Sequence, residues 1–201
     1  QIHNLSRFEN CQTTLLQTEQ IINGQNVASA SLGDIQTILN LKRAYQYVMR
    51  HISDGLPVDI PLLKKINSIV AQEDSLAPGD FRTGTVGVTL VDGSRHTPPA
   101  ISEVEVQNLF GRIAYRSRST TETAIRSMLA FMRQQIFWDG NKRTATLFAN
   151  ALLIEKGCGI LEISELQMSE FNEKLSAFYR SGVDFDVAAF LYQNCIFGID
   201  Y

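Results

Sequence analysis

The run Ala145–Ile154 is apolar on almost every side of a helical repeat, and Gly157 is placed to end it. A helix of that kind has no face suited to water, so it predicts a bundle in which other helices enclose it. The chain offers the neighbours. Asn4 to Ile22 predicts a helix, interrupted near Asn10, that ends at Asn23-Gly24, a pair suited to a left-handed cap. Ser31 with Asp34 can cap a second, whose inward positions Ile35, Ile38, Leu41, Ala44 and Val48 keep three-four spacing. Pro61 fits the first turn of a third, with Leu62, Leu63, Ile66, Ile69 and Val70 facing inward, and Ala77-Pro78-Gly79 follows as a turn. Val104 to Tyr115 and Thr121 to Gln134 predict two more, Ser164 or Ser169 caps another through Tyr179, and a last one runs from about Asp186 to Phe197.

Thr83 to Thr97 breaks this pattern. Val86, Val88 and Leu90 alternate with small or polar residues, and Asp92-Gly93 offers a tight two-residue turn, so one β-hairpin is predicted. A two-stranded hairpin alone is marginal in water and must lie across the helices or await a partner strand.

Chemistry concentrates just before the apolar helix, at Gln135-Ile136-Phe137-Trp138-Asp139-Gly140-Asn141-Lys142-Arg143. The turn at Asp139, Gly140 and Asn141 leads straight into a helix, so unpaired N–H groups converge there and attract anions. Lys142 and Arg143 add positive charge at a helix start, the wrong sign for the dipole unless a phosphate sits there in use. Asp139 beside phosphate is a natural Mg²⁺ ligand. Trp138 reads as packing, and His51 and His96 have no partner visible in the sequence.

Composition narrows the alternatives. With 44% apolar and 19% charged residues, 201 residues suffice for a single domain, 1–201, in which 1–30 form an N-terminal helix and linker and 31–201 the core. Lys+Arg at 18 against Asp+Glu at 21 makes the chain −3, which gives no general case for nucleic acid or an anionic membrane as partner. No apolar run is long enough for a membrane span, and the polar start is no signal peptide, so a cytoplasmic location is expected. Cys11, Cys158 and Cys195 are too scattered for a zinc pattern and read as reduced thiols. The absence of an initial methionine implies a processed or trimmed start.

The loop resembles the Fic family motif His-x-Phe-x-Asp/Glu-Gly/Ala-Asn-Gly/Lys-Arg-x-x-Arg, matched at Phe137, Asp139, Gly140, Asn141, Lys142 and Arg143. Gln135 stands in the place of the family's histidine and Thr146 in that of its second arginine. Pro78-Gly79-Asp80-Phe81-Arg82 resembles the family's lead-in to its hairpin, and His96-Thr97-Pro98-Pro99 looks like the way out. The resemblance runs from about Ser31 to the end and implies a mainly α Fic-type helical bundle with one β-hairpin flap. It implies ATP and Mg²⁺ as cofactors, with Asp139 on the metal and Gly140, Asn141, Lys142 and Arg143 on phosphate. It implies as partner a protein bearing a Ser, Thr or Tyr hydroxyl, held as an added strand along Thr85, Val86, Gly87 and Val88 of the flap. Phe137 would anchor the loop in the core.

The departures carry consequences. The family's histidine is the base that takes the target's proton, and an amide cannot replace it, so AMP transfer should be slowed on the order of 10²–10⁴-fold or lost. Lys142 and the absent second arginine resemble the death-on-curing toxins, which transfer the terminal phosphate instead, so the transferred group stays open. In regulated members a glutamate from a Ser/Thr-x-x-x-Glu-Gly/Asn helix restrains the second arginine. Glu9-Asn10 resembles the end of that helix, but the arginine it would grip is Thr146, so Glu9 is expected to block by bulk or charge and not by pairing. Two readings follow: a protein adenylyltransferase scaffold of weak or absent activity, or a pseudoenzyme that binds nucleotide or protein and regulates by occupancy.

Overall fold

The computed structural model describes residues 1–198. At its centre lies α7 (Asn141–Glu155), of which Arg143 to Leu153 are all buried. Around it pack α6 (Thr120–Gln134), α4 (Ile60–Val70) and α3 (Leu32–Ser53), each contributing one apolar face. Phe148 of α7 meets Phe131 of α6 with ring centres 5.8 Å apart, and Phe110 of α5 (Glu103–Arg116) at 5.5 Å, both edge-on. The sequence expectation of a mainly α bundle enclosing one apolar helix holds. Among the described residues no helix is long and apolar enough to cross a membrane.

The helix starts are set by side chains. Ser31 accepts from the Asp34 N–H at 3.0 Å, Asp59 from the Leu62 N–H at 3.1 Å with Pro61 in the first turn, and Ser102 from the Glu105 N–H at 3.3 Å. The N-terminal helix is fully broken, not merely interrupted. After α1 (Ile2–Ser6) and a single 3₁₀ turn at Arg7–Glu9, Asn10 turns left-handed, and Thr14 with Gln17 forms a new capping box for α2 (Leu15–Ile22). Asn150, a polar residue inside the apolar helix, is satisfied by β3 (Ile160–Leu161), donating to the Leu161 carbonyl at 2.9 Å and accepting its N–H at 2.8 Å.

Three details differ from the sequence expectation. The flap hairpin pairs only β1 (Val88–Thr89) with β2 (Arg95–His96), and its loop has three residues, Val91–Gly93, closed by the Leu90 N–H to the Ser94 carbonyl at 2.8 Å. Gly93 at φ 81° takes the left-handed position that such a bulged loop needs. Thr85, Val86 and Gly87 lie outside the ladder. Continuing the register would set Thr85 and Val86 against Pro99 and Pro98, which have no N–H to give. The last helix, α9 (Phe185–Asn194), stops early, because Ile196–Phe197 forms a strand, β4, antiparallel to β3. Before it, Ser164 caps a 3₁₀ turn that runs into α8 (Met168–Ser181).

Arg82 joins the flap to the bundle. Its guanidinium is buried and donates to the carbonyls of Gly84 (2.6 Å), Pro98 (2.9 Å), Pro99 (2.8 Å), Gln134 (3.1 Å) and Gln135, while its own N–H donates to Ile136 at 3.0 Å. Only a flat, forked cation can serve so many acceptors at once. Arg82→Ala should therefore strand several buried carbonyls and lower unfolding free energy by about 3–5 kcal/mol in a denaturant titration, with Arg82→Lys recovering only part.

Candidate functional site

α6 ends at Gln135, whose backbone is left-handed (φ 45°, ψ 57°), a conformation that turns the chain out of the helix at some steric cost for a residue with a Cβ. The Gln135 amide is buried, donating from Nε2 to the Met132 carbonyl at 2.7 Å and accepting at Oε1 from Asn141 at 3.3 Å. Asn141 also brackets the Phe137 peptide, accepting its N–H and donating to its carbonyl, each at 2.9 Å. Asn141 thus holds the loop's shape in this conformation, and its side chain is not presented to a ligand as the sequence reading expected. Phe137 is buried, with its ring 5.1 Å from Phe81, and Trp138 packs over Gly84.

Gly140 (φ 70°) begins α7, and no side chain caps that start. A Cβ on Gly140 would come within 3.0 Å of Ala71 Cβ, so both its φ and its surroundings call for glycine. Asn67 holds this corner: it donates to the Asp139 carbonyl at 2.9 Å and to Thr144 Oγ1 at 3.1 Å, and accepts from the Gly79 N–H at 2.9 Å. Sequence reading missed Asn67; the signal was a polar residue on the apolar face of Leu63, Ile66 and Val70.

Arg143 is fully buried and ringed by carboxylates. Glu9 Oε1 lies 2.8 Å from its Nε, while Asp74 Oδ2 and Asp139 Oδ1 lie 3.2 and 3.5 Å from its Nη2. Its Nη1 donates to the Val70 carbonyl at 3.2 Å. Glu9 therefore does form an ion pair, with the motif's first arginine and not at the Thr146 position, which corrects the expectation that it would act without pairing. Thr146 is itself buried, and its hydroxyl donates to the Lys142 carbonyl at 2.9 Å. Burial raises the Glu9 carboxyl above its ordinary value; Arg143 opposes this, and Asp139 and Asp74 add to it. Burial likewise lowers the Lys142 amine, with Glu9 opposing, and that amine sits 5.7 Å above the Phe8 ring.

Beside Lys142 a pocket of about 200 Å³ opens between the flap residues Val88–Val91 and α8, where Ser176 and Tyr179 line it. The Tyr179 hydroxyl is enclosed without a hydrogen-bond partner of good geometry among the described residues, and burial pushes its pKa up against a lesser opposing effect of Gln135. His96 stacks on Tyr179 at 5.0 Å and sets Nε2 2.8 Å from the Arg133 carbonyl, which requires the proton on that nitrogen. Gly140, Asn141, Lys142, Arg143, Asp139, Gln135 and Glu9 are thus brought together. Val88 reaches the same pocket, while Thr85, Val86 and Gly87 extend from it with no backbone partner among the described residues.

Residues 57–153, which hold the flap and the whole loop, match the family model described as the Fic/DOC family. Over that stretch the chain is similar to the Fic/DOC family. The fold of a Fic domain containing signaling protein from Bacteroides thetaiotaomicron is similar at TM-score 0.78 and 18% identity, covering 96% of this chain and 79% of that one. Fic-1 of C. elegans is similar at TM-score 0.72 and 19% identity over 95% of this chain, and a Fic family protein from Desulfovibrio desulfuricans at 0.68 and 19% over 93%. The chain spans 57% and 56% of the lengths of those two. No curated protein matches the sequence. These likenesses establish a Fic fold from α1 to β4, well beyond the stretch the family model matches.

The Glu9 shift has a pH consequence. A carboxyl raised on folding binds its proton more tightly in the folded state, so its contribution to stability is full below the ordinary value and is lost as pH rises through the raised one. As the pH falls toward the ordinary glutamate value of about 4.3, the melting temperature of the native chain relative to Glu9→Gln should rise.

Proposed function

We propose that this Fic domain binds ATP with Mg²⁺ at the Asp139–Arg143 loop and holds a segment of a target protein along the flap, as a protein adenylyltransferase scaffold whose transfer step is weak or absent. The observation that carries this reading is the uncapped start of α7, where the N–H groups of the first turn meet Asp139, Lys142 and Arg143. Asp139 is about half exposed, with one oxygen taken by the Gly140 N–H and Arg143 and the other turned to no partner among the described residues. One carboxylate beside phosphate oxygens is a donor set that suits Mg²⁺, which would neutralise phosphate charge there. Lys142 and Arg143 would hold phosphate oxygens, and Asn141 would keep the loop in the shape that aims its N–H groups at them. The free backbone of Thr85–Gly87 supports docking of a target strand.

Gln135 weighs against turnover. Its amide has no proton-accepting group near neutral pH, and its nitrogen is already spent on Met132. The same observation favours a second reading, a pseudoenzyme that binds nucleotide or protein without chemistry. Incubating the native chain and Gln135→His with a protein acceptor and ATP labelled at the α- or the γ-phosphate separates these. Labelling restored by histidine, on the order of 10²-fold or more above the native chain, supports the scaffold reading, and the labelled position names the transferred group. Absence of labelling by both forms, together with absence of Mg²⁺-dependent ATP binding by calorimetry, would overturn it.

Regulation follows from the pairing of Glu9 with Arg143. A phosphate that recruits Arg143 has to displace a carboxylate from it, so Glu9 would hold the site in a state of low nucleotide affinity. Glu9→Gly should tighten ATP binding by about tenfold, within the usual range of coupling between sites; unchanged affinity by calorimetry would exclude this role.

A further inference from the structure

Away from the loop, α5 buries only Val106 completely, so most of its surface faces outward. Between α5 and the first half of α6 lies an open groove of about 670 Å³ with Leu109 and Ile113 in its floor. Arg112, Arg116, Arg118 and Arg126 line it, against one carboxylate, Glu122. Arg126 is paired to Glu122 at 2.9 Å and to Asp184 at 3.0 Å. The guanidinium groups of Arg112, Arg116 and Arg118 form no ion pair among the described residues, although the Arg118 backbone N–H donates to Glu122 Oε2 at 2.8 Å. In a chain of net charge −3, three unpaired guanidinium groups gathered in one groove form a local field opposite in sign to the whole.

The basic groove does not stand alone. Glu122 and Arg126 form a ridge shared with a second groove of about 340 Å³, built from Ile125, Ala188 and Ala189 and rimmed by Phe185 and Tyr192. Phe185 is 71% exposed and Tyr192 55%. Large aromatic side chains beside arginines are the composition of interface centres, since both give up water at modest cost and make large contacts.

We propose that this face docks an acidic peptide segment of a partner protein that also carries a large apolar side chain. Its carboxylates would pair with the forked guanidinium groups of Arg112, Arg116 and Arg118, and its apolar side chain would cross the ridge to pack on Phe185 and Tyr192. A nucleic acid fits less well: the chain's net charge repels a polyanion at a distance, the cluster is short, and the one cation of the second groove, Arg126, is already paired to Glu122 and Asp184. Glu122 stands 13 residues before Gln135 on the same helix, which is roughly 20 Å along its axis, so the docking face and the nucleotide loop are separate sites.

Fluorescence polarisation with the whole chain and a fluorescein-labelled peptide of sequence Glu-Glu-Phe-Glu-Glu-Leu-Phe-Glu tests this. Saturable binding is expected, weakened roughly tenfold or more by Arg112→Glu with Arg116→Glu and also by Phe185→Ser, with circular dichroism and melting temperature unchanged because these side chains are exposed. No saturable binding, or binding undiminished by either substitution, would overturn the proposal. Tighter binding of a single-stranded oligonucleotide or of phosphatidylserine vesicles would also overturn it, as would a dimer, seen by light scattering, that the same substitutions dissolve.

Discussion

A loop that passes between two core helices has to satisfy its backbone polar groups without water, and the structure around residues 134–141 is organised by that requirement. Arg82 collects the carbonyls of Gln134 and Gln135 together with those of the two prolines that close the flap. Asn141 closes on both ends of the Phe137 peptide unit, and Asn67 ties Asp139 to Gly79 and Thr144. Three polar side chains thereby do what solvent would do for an exposed loop, and the helix start that follows is left uncapped and held in place. The flap depends on the same arrangement. With Pro98 and Pro99 giving their carbonyls to Arg82 and having no N–H, the segment opposite them has no backbone partner among the described residues.

Charge around Arg143 has a different character. A guanidinium with no exposure is costly to bury, and three carboxylates at 2.8, 3.2 and 3.5 Å offset that cost. Burial is the main reason that Glu9 keeps its proton more readily than a free glutamate although it lies against an arginine, and the nearby carboxylates of Asp139 and Asp74 add to the effect. Asp74 and Asp139 are contributed by the bundle itself, whereas Glu9 comes from the N-terminal segment, so of the three it is the one whose position a movement of that segment can change. Lys142 over Phe8 links the loop to the same segment.

The bundle was legible because its helices announce themselves locally. The apolar run of α7, the cap at Ser31 and the proline at the start of α4 each use residues within a turn of one another. Asp92-Gly93 marked the hairpin for the same reason, although a three-residue loop replaced the two-residue turn because only Gly93 adopts the left-handed conformation. The strand pair β3 and β4 was not legible. Its paired residues are 35 and 37 positions apart, Leu161 with Ile196 and Ile160 with Phe197, and Ile196–Phe197 reads equally well as the end of a helix until Ile160–Leu161 is beside it.

The site divides in the same way. Sequence by itself determined which groups gather at the loop, since Asp139, Gly140, Asn141, Lys142 and Arg143 are contiguous, and it determined that an amide and not an imidazole stands before them. Tertiary structure alone decided what those groups touch: that Asn141 serves the loop's own backbone, that Arg143 is held by Glu9 and Asp74, and that Tyr179 and the flap wall the neighbouring pocket. The reason is physical. Side-chain identity and helix phase are fixed by neighbours along the chain, whereas the partner of a buried charge is whichever opposite charge the packing of distant segments brings within a few ångströms.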